Sequence, residues 1–185
     1  YIDRNSNGIF DKDEEIIKNA KINISVADIK YSDNGMITVY DLNPYTNYEF
    51  QIREESIKNP LLISEQKTYS FMTEPNSFKS IDIPFYIASE ISGKVFRVLN
   101  NVKIPIAGLK IHLRNSLTSE TISLNTFADG SYYYFGLIPG KYKIYADEEQ
   151  LKSIGLMQTK KDIEFVIESK ANGDMVENLD IILSN

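Results

Sequence analysis

Asp129-Gly130-Ser131-Tyr132-Tyr133-Tyr134-Phe135-Gly136-Leu137-Ile138-Pro139-Gly140 decides how this chain folds, because a shadow of it stands earlier, at Asn34-Gly35-Met36-Ile37-Thr38-Val39-Tyr40-Asp41-Leu42-Asn43-Pro44-Tyr45. Apolar residues follow each turn dipeptide at the same places, and a Pro closes each stretch, at an offset of 129 − 34 = 95. Working outward, Tyr48-Glu49-Phe50-Gln51-Ile52-Arg53-Glu54-Glu55 matches Tyr142-Lys143-Ile144-Tyr145-Ala146-Asp147-Glu148-Glu149, now offset by 142 − 48 = 94. Tyr69, Phe71 and Thr73 match Ile163, Phe165 and Ile167, and Ile81-Asp82-Ile83 matches Leu179-Asp180-Ile181. Shared order and spacing make this an internal repeat of two copies. The boundary falls near Tyr86–Ser89, giving domains 1–87 and 88–185.

Each copy reads as strands. Leu109, Ile111 and Leu113 alternate with Lys110, His112 and Arg114, the period of two that sends one face to a core and the other to water. Ile22, Ile24 and Val26 alternate likewise, as do Tyr142, Ile144 and Ala146, and Leu179, Ile181 and Leu183. Asn34-Gly35 and Asp129-Gly130 are hairpin signals, since both turn residues tolerate positive φ. Helical character is confined to one turn near Arg53–Lys58 and another near Glu148–Lys152. Short strands at this spacing predict an all-β protein of two tandem Greek-key β-sandwiches. Ile83-Pro84-Phe85-Tyr86-Ile87-Ala88 reads as a short, stiff linker.

Composition narrows the function. The 185 residues contain no Cys and one His, which excludes disulfides and thiolate chemistry and leaves almost no material for a catalytic triad or a His-rich metal centre. A net charge of −6 argues against binding a nucleic-acid backbone, and no apolar run is long enough to insert this segment in a membrane. No phosphate-cradling loop or nucleophile elbow is present. The reading is therefore of a protein that is not an enzyme. A start at Tyr1, without Met or a leader-like segment, points to a piece of a longer chain, whose remainder is its first partner.

One motif carries chemistry. Asp3-Arg4-Asn5-Ser6-Asn7-Gly8-Ile9-Phe10-Asp11-Lys12-Asp13-Glu14 fits the twelve-position calcium loop. Side-chain oxygens fall at Asp3, Asn5, Asn7 and Asp11, the turn-forming Gly at Gly8, a backbone carbonyl at Ile9 and a bidentate acid at Glu14. Calcium takes six to eight hard oxygens at flexible geometry, which alternate residues of a tight loop supply. Glu15 is a substitute for Glu14. With three charged ligands, the expected affinity is nearer the ~10⁻⁴ M class than that of the sensors. The second copy has a short turn in place of the loop. Alternation also turns Tyr133 and Phe135 outward, and Tyr40 in the first copy, as candidate partner-binding aromatics; His112 reads as a surface residue.

The runs Ile91-Ser92-Gly93-Lys94-Val95-Phe96, Pro105-Ile106-Ala107-Gly108-Leu109-Lys110-Ile111-His112-Leu113, Ala128-Asp129-Gly130-Ser131-Tyr132 and Gly136-Leu137-Ile138-Pro139-Gly140-Lys141-Tyr142 resemble a carboxypeptidase-regulatory-like domain. That is the prealbumin-like sandwich shared with the B-type repeats of collagen adhesins and Ser-Asp-repeat surface proteins. The first copy is similar but weaker, with Tyr45 in place of the Gly after Pro. The resemblance implies a non-catalytic spacer or stalk segment of a bacterial secreted or cell-surface protein, with calcium stiffening the first domain. Alternatives are an adhesion module gripping a glycan or a surface protein, and an accessory domain of an outer-membrane usher or transporter. Many B-type relatives carry a Lys–Asn isopeptide bond promoted by a buried acid. Here the corresponding inward positions are Phe50, Ile52, Ile144 and Ala146, so no such crosslink is expected.

Overall fold

The computed structural model describes residues 1–25, 28–160 and 162–184. Val26 of the predicted alternation lies outside them. Two compact units emerge, Tyr1–Ile87 and Ala88–Asn185, each with its own sheets, and the protein is all-β.

Unit 2 contains β8 (Ser89–Leu99), β9 (Val102–Pro105), β10 (Lys110–Asn115), β11 (Thr121–Asn125), β12 (Ser131–Leu137), β13 (Gly140–Ala146), α1 (Glu148–Ser153), β14 (Met157–Gln158), β15 (Ile163–Ile167), β16 (Met175–Val176) and β17 (Ile181–Ser184). One sheet runs β11-β10-β13-β15; the other runs β12-β8-β17-β14, with β9 and β16 also bonded to β8. Inward residues close the space between them: Leu109, Ile111, Leu113, Tyr142, Ile144, Ala146 and Ile167 from the first, Ile91, Val95, Tyr132, Ile181 and Leu183 from the second, among them the alternating positions read from sequence. Burying each such aliphatic side chain stabilises the fold by about 1.5–3 kcal/mol. Asp147 accepts a bond from the Gln150 amide at 2.8 Å and so caps α1, whose Leu151 turns into the core.

Unit 1 contains β1 (Ile22–Ile24), β2 (Asp28–Tyr31), β3 (Ile37–Tyr40), β4 (Asn47–Ile52), a 3₁₀ turn at Glu54–Ser56, β5 (Leu62–Ser64), β6 (Thr68–Met72) and β7 (Phe85–Ile87). Its main sheet is β1-β4-β6, with the pairs β2-β3 and β5-β7 beside it. The repeat shows in matched pairs. Tyr48 sits opposite Phe71, their rings stacked with centroids 5.9 Å apart, and Tyr142 sits opposite Phe165 at 5.7 Å. Of the four positions that the resemblance marks as corresponding to a crosslinking acid, Phe50, Ile144 and Ala146 are buried and Ile52 is half-buried.

Three expectations need correction. Asn34-Gly35 closes a hairpin between β2 and β3, but Asp129-Gly130 does not join paired strands: β12 leaves β11 and pairs with β8 in the other sheet. The turns are locally alike, with Ser32 N bonded to Met36 O at 3.0 Å and Phe127 N to Ser131 O at 2.8 Å. The second is captured by β8, whose Val95 N bonds Gly130 O at 2.8 Å; a Cβ on Gly130 would stand 2.8 Å from Val95 O. Ile81-Asp82-Ile83 forms no strand, and Ile81 is exposed, whereas its counterpart leads into β17. Its place is taken by Phe85–Ile87, read from sequence as linker: Phe85 and Tyr86 are buried, because β5 and the N-terminal segment close over them. His112 lies half-buried on the outer face of its sheet, its partners being described below.

Candidate metal loop

The loop begins on a fixed rail. Ile2 bridges Phe85 in parallel, Asp3 N donates to Phe85 O at 2.9 Å and Phe85 N donates to Tyr1 O at 2.8 Å. This places the Asp3 side chain inside unit 1, with only 2% of the residue exposed. Its carboxylate accepts from Ser6 N at 2.6 Å and from Gly8 N at 2.8 Å, which folds the chain back at Gly8, where φ is +72°. An L side chain would strain that φ, so the glycine is required by the turn.

The far end closes in the same way. Glu14 accepts from Arg4 N at 3.0 Å through Oε1 and from Asp11 N at 3.1 Å through Oε2. Asn5 and Asn7 each direct Nδ2 at Asp11 Oδ2, at 2.8 and 2.9 Å, while their Oδ1 atoms accept from Asn7 N and Ile9 N. Asp3, Asn5, Asn7, Ile9, Asp11 and Glu14 thus belong to one closed turn. Among the described residues, no group of three or more His, Cys, Asp or Glu side chains is gathered as a metal-holding set. The donor chemistry is nonetheless that of a calcium loop: three carboxylates, two carboxamides and a carbonyl, all hard oxygen. Seating an ion requires the two Asn amides to turn their oxygens, in place of their nitrogens, toward Asp11.

The charge of this loop is felt by two phenols. Burial first, then the carboxylates of Asp3, Glu14, Asp82 and Asp11, push the Tyr1 hydroxyl up to about 12. Burial followed by Asp3 raises that of Tyr86 as well. Both phenols are held neutral, so neither contributes a further negative charge.

The outward aromatics stand where alternation sends them: Tyr40 on β3, and Tyr133 and Phe135 on β12, are 46%, 50% and 42% exposed. Tyr133 donates its hydroxyl to Glu90 on β8, and that bond raises the phenol above its ordinary value. Met175, bonded alongside Glu90 through β16, extends the same face. Composition did not reveal the surroundings of the single histidine. His112 Nε2 lies 2.9 Å from Asp147 Oδ2 and Nδ1 lies 3.0 Å from Ser123 Oγ. Only the cross-strand register brings Ser123 to His112, and no spacing in the chain announces it.

Each unit has an open cleft beside its helical turn, at a repeat-equivalent place. Gln51, Ile52, Glu54 and Ser64 line that of unit 1, about 290 Å³. Tyr145, Ala146, Glu148 and Gln158, each 94 positions on, line that of unit 2, about 250 Å³. Among the described residues, no helix is long and apolar enough to cross a membrane.

No protein-family model matches the chain, and no curated protein matches it. Among solved structures the chain is similar to the minor pilin of Streptococcus agalactiae, with 19% identity and a TM-score of 0.46 over 83% of this chain and 66% of that one. It is also similar to the major pilin subunit of Bacillus cereus, at 13% identity and TM-score 0.39 over 80% of this chain and 41% of that one. A 5-hydroxyisourate hydrolase of Klebsiella pneumoniae matches at 22% identity and TM-score 0.38, over 52% of this chain and 90% of that one. This chain therefore spans less than two thirds of either pilin, and scores this low carry no argument about activity or partner.

Proposed function

We propose that this chain is a non-catalytic spacer segment of a longer bacterial secreted or cell-surface protein, with calcium bracing its first unit through Asp3, Asn5, Asn7, Ile9, Asp11 and Glu14. The observation that carries the reading is the attachment of the loop: Asp3 is at once the first candidate ligand and a residue whose backbone is bonded to β7, the strand that ends unit 1. An ion gripping Asp3 and Glu14 ties the N-terminal segment to that strand, so ligation resists fraying of the unit. Stiffening a sandwich needs no pocket and no turnover, which suits a surface with two open clefts and one histidine.

Titration calorimetry with calcium tests it. One site with Kd near 10⁻⁴ M is expected, lost in Asp11→Ala; the absence of heat at millimolar calcium would refute the bracing role. A second reading, adhesion to a glycan or a surface protein, is favoured by the grouping of Tyr133, Phe135 and Met175 around Glu90. It requires that Tyr133→Ala and Phe135→Ala abolish capture on a glycan array or a bacterial surface extract while leaving the melting profile unchanged.

A further inference from the structure

Three Asn-Gly dipeptides occur in the chain: Asn7-Gly8, Asn34-Gly35 and Asn172-Gly173. Asn followed by Gly is the dipeptide most prone to deamidation, because no side chain impedes the backbone nitrogen from reaching the Asn carboxamide. The Gly nitrogen attacks Asn Cγ, an N–Cγ bond forms and the Cγ–Nδ2 bond breaks. Ammonia leaves with the amide proton, and solvent water then opens the succinimide to Asp or isoAsp, about one mass unit heavier than Asn. The attack requires a free N–H and a carboxamide able to swing over it.

The three sites differ in how far they meet that demand. At Asn172 no hydrogen bond among the described residues holds the carboxamide, and the residue is exposed; Gly173 N carries only a turn bond to Lys170 O at 3.1 Å. At Asn34 the carboxamide oxygen accepts from Met36 N at 3.1 Å, Gly35 N is bonded to Ser32 O at 2.9 Å, and a Cβ on Gly35 would stand 2.5 Å from Ile16 Cγ2. At Asn7 every participating group is tied. Oδ1 accepts from Ile9 N at 2.7 Å, Nδ2 donates to Asp11 at 2.9 Å, and the attacking nitrogen of Gly8 donates to the buried Asp3 carboxylate at 2.8 Å.

We infer that Asn7 is a latent modification site held shut by Asp3: while the Asp3 carboxylate keeps the Gly8 N–H, deamidation of Asn7 is suppressed, and release of that bond opens it. A carboxylate is far too weak a base to deprotonate an amide, so its effect is to hold the nitrogen away from Cγ and not to activate it. Conversion adds one carboxylate to the loop whichever product forms, beside the candidate ligands Asp3, Asp11 and Glu14. When the product is isoAsp, it also lengthens the backbone by one carbon. The inference stands on the hydrogen bonds and does not depend on calcium occupying the loop.

The test is peptide mass spectrometry on the chain aged at mildly alkaline pH, following all three sites, in the folded state and in urea. Expressed as the urea rate over the folded rate, protection at Asn7 should exceed that at Asn172 by roughly ten- to hundredfold, the factor one or two charge-assisted hydrogen bonds correspond to. Asp3→Ala should accelerate Asn7 by about tenfold or more with Asn34 unchanged. Equal protection at Asn7 and Asn172 overturns the inference, as does an Asn7 rate indifferent to Asp3→Ala. Should Asp3→Ala unfold unit 1, Asn34 accelerates as well, and the urea comparison in the unsubstituted chain decides alone. Run without calcium, the experiment reads the latch alone; the bracing role is read separately by the calorimetric titration, so either can fail while the other stands.

Discussion

The two units share a repeat and differ in what they bury. Among the described residues, unit 2 encloses seventeen hydrophobic side chains between two full sheets, whereas unit 1 encloses five, Ile2, Ile22, Phe50, Phe85 and Tyr86. The difference begins at one turn. In unit 2 the strand after Asp129-Gly130 crosses to β8 and helps build a second large sheet; in unit 1 the strand after Asn34-Gly35 folds back on β2 and makes a sheet of two strands only. A unit short of apolar burial has less to set against chain entropy, and a disulfide-free one must find other ties. Unit 1 has the oxygen-rich loop and its rail on Phe85; unit 2, with its larger core, has a short turn there. The comparison teaches that the closed loop stands in the unit whose core is thin, which is where the proposed calcium site would have the most to add.

The comparison predicts two melting transitions, unit 1 first. The largest effects come from emptying each core. Phe50→Ala should cost about 3–5 kcal/mol and erase the first transition, while Leu113→Ala should lower only the second, by about 2–5 kcal/mol; a single transition shifted by both substitutions would merge what are here two units. Next, calcium at 1–5 mM, against a Kd near 10⁻⁴ M, should raise the first transition by about 1.4–2.3 kcal/mol and leave the second in place. Calorimetric scans of the parent and of Asp11→Ala measure this directly, the variant being expected to show no response.

Acidity sharpens the contrast from the other side. Hydrogen bonding to His112, then to the Gln150 amide, holds the Asp147 carboxyl below its ordinary 3.8. A depressed acid stabilises the fold above its unfolded value and loses that contribution as pH falls through the folded value. The second transition should therefore decline below pH ~4, and Asp147→Asn should flatten that decline without touching the first. The smallest effect is at Tyr45, held at φ 55° by a bond from its N to Thr73 O. Left-handed backbone is costly for an aromatic residue, so Tyr45→Gly should raise the first transition by up to about 1 kcal/mol; a loss of stability in denaturant titration would mean that the exposed ring makes contacts this geometry does not show.

Much of this was legible in the chain because it is local. Alternation places Leu109, Ile111, Leu113, Ile144 and Ile181 inward, and the repeat offset matches Tyr48 with Tyr142 and Phe71 with Phe165, though only cross-strand register stacks each Tyr on its Phe. The loop from Asp3 to Glu14 was recognisable as one closed turn, since its bonds span few residues. At Asp129-Gly130 the sequence is silent on the outcome, because a turn dipeptide specifies a reversal of direction and says nothing of which strand receives the chain afterwards. Phe85–Ile87 was taken for linker because three residues with a Pro before them carry no period, and their burial depends on Ile2 and β5. The Ser123–His112–Asp147 cluster had no signal at all.

By itself, then, the order of residues determined the class of fold, the twofold repeat, which side chains face inward and where an ion-suited loop stands, because periodicity and short-range turns are properties of neighbouring residues. Tertiary structure alone decided which sheet each strand joined, that the leading loop is anchored to Phe85, and that one unit is rich in core and the other poor. Those outcomes rest on hydrogen bonds between strands far apart in the chain, such as Gly130 to Val95 and Asp3 to Phe85, where the competing partners are locally equivalent and only packing chooses between them.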